Sequence, residues 1–133
     1  MKSIIEELYY KMNYDLLTGA DLAFIGDAYF ELYIRNYVLH KGFTKLRDLH
    51  TKCVNYVSRT SQNKIIINLL PELSEEEISV YKRGRNFDYK NKDSEYINAS
   101  GFEALIGYLY LKKNNERLEY IISKSIEIIE TKE

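Results

Sequence analysis

The chain has 133 residues, with 19 basic and 20 acidic side chains and a formal net charge of −1. This length fits one domain with its own hydrophobic core, and a chain that is 45% apolar and 29% charged is typical of a folded protein, not a disordered one. No apolar run approaches the roughly 18 residues of a membrane span, and the single cysteine, Cys53, excludes an internal disulfide. We therefore expect one domain over residues 1–133, in a reducing, cytoplasmic compartment.

One proline and six glycines leave few positions where a helix must end, so the composition favours long helices. The first predicted helix is short and amphipathic, near Ser3–Tyr10, and a loop follows at residues 13–19. A helix over Ala20–Leu39 carries apolar residues nearly all round. That pattern is typical of a helix buried in a core.

The middle of the chain is predicted to form a short helix, a long helix and a capped helix. Thr44 can cap a short helix that runs through His50, and a longer one is predicted over Thr51–Leu69. A serine followed by three glutamates indicates a capping box at the start of a helix over Ser74–Gly84.

The last third contains the second core helix. After a long loop at Phe87–Glu95, a helix over Tyr96–Lys112 is again apolar nearly all round, and an amphipathic helix covers Asn115–Thr131. The predicted fold is therefore all-α, with two central core helices packed by the surrounding helices.

Two acids in apolar surroundings are the informative residues of the predicted core helices: Asp27 on the first and Glu103 on the second. An unpaired buried carboxylate is costly, so such acids are paired, hydrogen-bonded or bound to a metal. Small residues one turn away, such as Ala23 and Gly107, let helices approach closely and leave room for an ion. Oxygen ligands of this kind suit Mg²⁺ and the hydrolysis of phosphoesters. An ion pair with a base such as Arg35 is the alternative, and periodicity does not show whether the two acids face each other.

The nearly neutral total charge hides a basic middle. Ten basic and six acidic residues give residues 45–92 a net charge of +4, whereas both flanking segments are negative. This distribution permits a local surface for a polyanion, and a solvated run of charges is the alternative.

Two segments resemble the signature motifs of the ribonuclease III family. Residues 22–35 contain a Gly-Asp-Ala step in which Asp27 matches the metal-binding aspartate, and in residues 101–111 Glu103 matches the glutamate that completes the site. The run at residues 82–86, Lys-Arg-Gly-Arg-Asn, is similar to the small bacterial subfamily Mini-ribonuclease III, a catalytic domain without a double-stranded RNA-binding domain. The resemblance covers about Asp21–Glu119.

The resemblance implies a homodimeric, Mg²⁺-dependent endonuclease that cuts both strands of double-stranded RNA, with Asp27 and Glu103 as catalytic and metal-binding residues. Its implied substrate is precursor 23S ribosomal RNA, with a large-subunit ribosomal protein as a potential partner. A two-fold axis would place one site on each strand of the duplex. The residues that we expect to contact RNA are Lys82, Arg83, Arg85 and Asn86, with Lys52, Arg59, Gln62 and Lys64 as further candidates.

The chain departs from full-length ribonuclease III at two acidic positions, where it has Ala23 and Ser100. The metal ligands within one chain are thereby reduced to Asp27 and Glu103, with Glu31 as a candidate outer partner. Two other functions stay open: a duplex-RNA-binding protein that does not cleave, and a helical interaction module whose core acids form ion pairs.

Overall fold

The computed structural model of the protein describes residues 3–11 and 13–131. Within these residues every regular element is a helix, so the predicted all-α class is confirmed. Two short 3₁₀ turns occur, at Tyr14–Leu16 and Leu70–Glu72. The α-helices are α1 (Ile4–Lys11), α2 (Gly19–His40), α3 (Leu46–Val57), α4 (Arg59–Leu69), α5 (Glu75–Arg85), α6 (Ser94–Leu111) and α7 (Asn115–Glu130).

The largest difference from the predicted elements lies between α2 and α4. α3 passes through His50 without a break and ends at Val57, so the predicted boundary at His50 is wrong. The chain turns instead at Ser58, where the backbone is extended and the side-chain oxygen accepts a hydrogen bond from the Ser61 N–H. A serine that bonds to the backbone in this way ends one helix and caps the next. The apolar periodicity continues across Ser58 and conceals this break.

α6 is the central helix of the fold, as predicted. It packs against α2, α4, α5 and α7, and eleven of its 18 residues are buried. α2 is its main partner, and the rings of Phe30 and Phe102 meet edge to face with centroids 5.1 Å apart. Burial of large side chains on both helices supplies most of the driving force for this packing.

Only one face of α2 is buried, so the expectation that this helix is enclosed all round is wrong for the single chain. Leu22, Phe30 and Ile34 are essentially inaccessible. On the other face, Phe24 is 77% exposed and Leu32 is 60% exposed. Sequence periodicity reports how apolar a helix face is, and it does not distinguish burial within the chain from exposure to a partner.

α2 and α6 cross at two glycines. A Cβ atom at Gly26 would overlap the carbonyl oxygen of Glu103, and one at Gly107 would overlap the carbonyl oxygen of Leu22. The two backbones are therefore in direct contact, with no side chain between them. This crossing sets Asp27, which follows Gly26, beside Glu103.

We predict that Gly26→Ala destabilises the protein. Alanine gains about 1 kcal/mol of helix propensity, but its methyl group must push α2 away from α6, and overpacking of this kind costs typically about 1–3 kcal/mol and more where the backbone has to shift. The expected net loss is up to about 2 kcal/mol in urea unfolding followed by circular dichroism. Asn36→Ala, at an exposed position of the same helix, is the control and should leave stability unchanged or slightly higher. Equal stability of Gly26→Ala and wild type would contradict the crossing.

Candidate active site

Asp27 and Glu103 face each other across the α2–α6 crossing. Their side chains interact directly, and both line one open cavity of about 280 Å³. The other residues that line this cavity are Val57, Arg59, Gln62, Tyr96, Ala99 and Ser100. Residues from α2, the α3–α4 region and α6 thus meet at one place, although Asp27 and Glu103 lie far apart in the sequence.

The two carboxylates differ in their exposure to solvent. Asp27 is exposed at the mouth of the cavity, whereas Glu103 is partly buried on its wall. The expectation that both acids are buried is therefore wrong for Asp27. Because Asp27 lies at the edge between the buried and exposed faces of α2, the apolar residues beside it in the sequence do not enclose it.

Burial, together with a hydrogen bond to Asp27 and the negative charge of Asp27, raises the pKa of Glu103 to about 9. Two carboxylates this close resist ionising together. A divalent cation between them would remove that conflict, since it favours the charged form of both groups. The carboxylate oxygens, the open cavity and the raised pKa of Glu103 fit a site for a hard cation such as Mg²⁺.

No third His, Cys, Asp or Glu joins the two acids among residues 3–11 and 13–131. Ser100, at the position where full-length family members have an aspartate, donates its hydroxyl to the Tyr96 carbonyl at 3.0 Å. Glu31, the candidate outer partner, accepts from Arg35 at 3.5 Å, while its second carboxylate oxygen is buried without a hydrogen bond. Arg35 thus pairs with Glu31, and the alternative ion pair between Arg35 and the core acids is not formed.

Gln62 lies at the wall of the cavity, not on the RNA-facing surface that the sequence suggests. It is only 3% exposed. Its side-chain nitrogen donates to the Val57 carbonyl at 3.1 Å and lies 3.5 Å from Glu103 Oε2. The amide oxygen of Gln62 is buried and has no hydrogen-bond donor.

The basic candidates at the end of α5 differ in accessibility. Lys82 and Asn86 are exposed, whereas Arg85 is held by Asn98 Oδ1 at 2.7 Å. Arg83 has two side-chain nitrogens, Nε and Nη2, that are buried without partners.

A chain of polar contacts links the end of α5 to α4. Asn98, which binds Arg85, also donates to Asn63 Oδ1 at 2.8 Å, and Lys64, which follows Asn63, is exposed. Lys52 lies elsewhere, with its ammonium group 5.2 Å from the centre of the Phe43 ring. Asn98 thus joins the end of α5 to α4 through Asn63, whereas Lys52 on α3 lies beside Phe43.

Arg59 and Tyr96 form a stacked pair at the cavity. The guanidinium carbon lies 4.9 Å from the centre of the Tyr96 ring, and Arg59 Nη1 lies 3.9 Å from Asp93 Oδ2. Arg59 is a candidate from its charge, but the sequence offers no signal for Tyr96. With 13 tyrosines in the chain, only the tertiary structure distinguishes the one at the cavity.

A family model for the "Ribonuclease III domain" matches residues 20–114, a span that includes both acids. Curated relatives named "Mini-ribonuclease 3" are similar over most of their length. The Streptococcus pneumoniae protein is 40% identical over 126 residues, which cover 90% of this chain and 98% of the relative. The Clostridium tetani protein is 38% identical, with 97% of this chain and 89% of the relative covered, and the Enterococcus faecalis protein is 43% identical, with 84% and 89% covered.

A solved structure has the same fold. The crystal structure of a Fusobacterium nucleatum protein superposes with a TM-score of 0.75 at 33% sequence identity, covering 84% of this chain and 93% of that one. In the part of this chain that the structure describes, no helix is both long enough and apolar enough to cross a membrane.

Proposed function

This chain belongs to the ribonuclease III family, within its Mini-ribonuclease 3 group, and we propose that it is an endoribonuclease that hydrolyses double-stranded RNA at the Asp27–Glu103 cavity. The observation that carries the proposal is the meeting of these two carboxylates at the α2–α6 crossing, inside the matched domain. A pair of acids in an open cavity, without a basic partner within salt-bridge distance among the described residues, suits cation-dependent hydrolysis better than a structural ion pair.

We propose Mg²⁺ as the cation, with Asp27 and Glu103 as its protein ligands. A bound Mg²⁺ supplies positive charge for the scissile phosphate and lowers the pKa of water that is to attack it. Asp27, at the open side, is available to cation and substrate together, while Glu103 is held on the cavity wall by its surroundings. Arg59 brings a positive charge to the same cavity, where a phosphate group can use it.

For the RNA surface we propose the exposed cations at the end of α5 and on α4. Double-stranded RNA is bound mostly through phosphates and 2′-hydroxyls, so Lys82, Asn86 and Lys64 suit direct contacts. Arg85 acts in part by fixing Asn98, and Arg83 must turn outward before it can reach a phosphate. We rank Lys52 last among the proposed RNA contacts, because its ammonium group lies over the Phe43 ring.

The exposed apolar face of α2 and α3 supports a homodimer. We define this face by Phe24, Ala28, Leu32, Leu39 and Leu46, all of which are exposed. Leu39 and Leu46 meet at a second cavity, which joins the two helices into one surface. An apolar surface of this kind is unfavourable in water and is typical of an interface. Two copies related by a two-fold axis would present two cavities to the two strands of one duplex.

As cellular substrate we propose precursor 23S ribosomal RNA, trimmed at its paired ends, and as location the cytoplasm. Both rest on membership of the Mini-ribonuclease 3 group and on the implied activity of that subfamily. A large-subunit ribosomal protein that shapes the precursor is the helper that we propose.

The main prediction concerns Asp27→Asn and Glu103→Gln, which keep the shape of each side chain and remove its negative charge. Cleavage of a plain RNA duplex in Mg²⁺ should fall by about 100-fold or more, since each change removes a group that acts at the transition state. Without divalent cations the melting temperature should stay equal or rise, because the repulsion between the acids is relieved.

The matched control for these variants is Glu77→Gln. Glu77 is buried and bound by Arg117 Nε at 2.7 Å, so its loss should cost about 3–5 kcal/mol. A large fall in melting temperature for the Asp27 and Glu103 variants, with cleavage equal to that of the wild type, would exclude the two acids as cation ligands. A wild type that neither cleaves nor binds duplex RNA would favour the helical interaction module. Duplex binding without any Mg²⁺-dependent cleavage by the wild type would favour the non-catalytic RNA-binding protein.

If Lys82 and Lys64 contact RNA, Lys82→Ala and Lys64→Ala should each weaken duplex binding, measured in EDTA by fluorescence polarisation. Each lost phosphate contact should lower the slope of log Kd against log salt by about one. Lys124→Ala, on α7, is the control and should bind as wild type does. If both test variants keep the wild-type slope, the end of α5 and α4 do not face RNA.

The dimer predicts that Leu32→Glu yields a monomer in sedimentation equilibrium at micromolar concentration, whereas the wild type has twice the mass of the chain. A buried unpaired carboxylate in the middle of an apolar interface is strongly unfavourable. Ile67→Glu is the control, because Ile67 is 52% exposed but lies on α4, and it should stay dimeric. A monomeric wild type, or a dimeric Leu32→Glu variant, would contradict the proposed interface.

A further inference from the structure

The side-chain amide of Gln62 is buried, and only its nitrogen, not its oxygen, forms hydrogen bonds. Its nitrogen is committed to the Val57 carbonyl and is directed at Glu103 Oε2, while its oxygen has no donor. Turning the amide over would break the bond to Val57, since it would set the amide oxygen against a carbonyl oxygen that has no proton to donate. The bond to Val57 therefore fixes the orientation of the amide. In this orientation the amide oxygen has no hydrogen-bond donor.

A half-satisfied buried amide lowers the stability of a fold. An apolar residue of similar size, such as Met or Leu, would fill the same space without this cost. A native buried group without a partner calls for an explanation other than packing. Its place on the wall of the cavity shared by Asp27 and Glu103 supplies one.

Gln62 contacts Glu103, one of the two proposed cation ligands. The side-chain nitrogen of Gln62 donates a hydrogen bond to Glu103 Oε2 at 3.5 Å. It also restrains the rotation of the carboxylate, since the amide is itself anchored to Val57 at the end of α3. Loss of a group that orients a metal ligand in this way typically costs about 10–100-fold in metal affinity.

We propose that Gln62 is a positioning residue of the Asp27–Glu103 pair and not an RNA contact. Its nitrogen, anchored on the Val57 carbonyl, orients the Glu103 carboxylate for a divalent cation. This inference rests on the proposed function, because it takes the two carboxylates as the cation ligands.

The test is the affinity of the RNA-free protein for Mn²⁺, measured by titration calorimetry. Gln62→Met keeps the volume of the side chain and loses the donor, and it should weaken Mn²⁺ binding by about 10–100-fold. The turnover number should fall in Mg²⁺, while KM for RNA and duplex binding in EDTA stay at wild-type values. Gln62→Asn keeps an amide that is too short to span Val57 and Glu103, and it should show the same loss if the Met variant does not fold.

Two matched controls separate positioning from general structural support and from RNA contact. Asn63→Leu also removes a hydrogen bond between α4 and α6, but not one to Glu103, and should leave Mn²⁺ affinity unchanged. Lys64→Met should weaken duplex binding and leave Mn²⁺ affinity unchanged.

Three results would overturn the inference: wild-type Mn²⁺ affinity in both Gln62 variants, an equal loss in Asn63→Leu, or no Mn²⁺ binding by the wild type. If the Gln62 variants lose RNA binding in EDTA and keep Mn²⁺ affinity, Gln62 is an RNA contact. Failure of the proposed function looks different: the wild type would bind Mn²⁺, with the expected dependence on Gln62, and yet cleave no duplex.

Discussion

The backbone contact between α2 and α6 is the constraint on which the rest of the structure depends. Gly26 and Gly107 remove the side chains that would otherwise separate the two helices. The helices then approach until backbone meets backbone, and the next residue, Asp27, comes within reach of Glu103. The same contact lets Phe30 and Phe102 meet in the core. One geometric feature thus serves both the packing of the domain and the assembly of its cavity.

The cavity is electrostatically unfavourable, and the remainder of the fold offsets this. Two acids that compete for ionisation and an amide oxygen without a donor all oppose folding. Satisfied polar clusters lie away from the cavity. Arg117 binds Glu77 and the Glu72 carbonyl. An unfavourable arrangement of polar groups that the rest of the fold offsets is typical of a functional cavity.

α2 connects the cavity with the exposed apolar face. Asp27 stands between the buried side of the helix, at Leu22 and Phe30, and the exposed side, at Phe24 and Leu32. A partner that covers the exposed side would therefore fix α2 in place from both directions. The position of Asp27, the proposed cation ligand, and the proposed dimer contact are for this reason mechanically coupled, since both belong to one rigid helix.

The sequence by itself determines the helices and the presence of the two acids. Local signals suffice for the all-α class and for the capping box at Ser74, which the structure contains as predicted, and the motifs around Asp27 and Glu103 identify the family. Only the tertiary structure decides that these acids face each other and that Gln62 lies beside them while Phe24 lies in solvent. Helical periodicity states which residues share a face, but it carries no information on which faces meet. Which faces meet depends on how closely two backbones can approach. Here Gly26 and Gly107 permit the close approach of α2 and α6, because neither residue has a side chain.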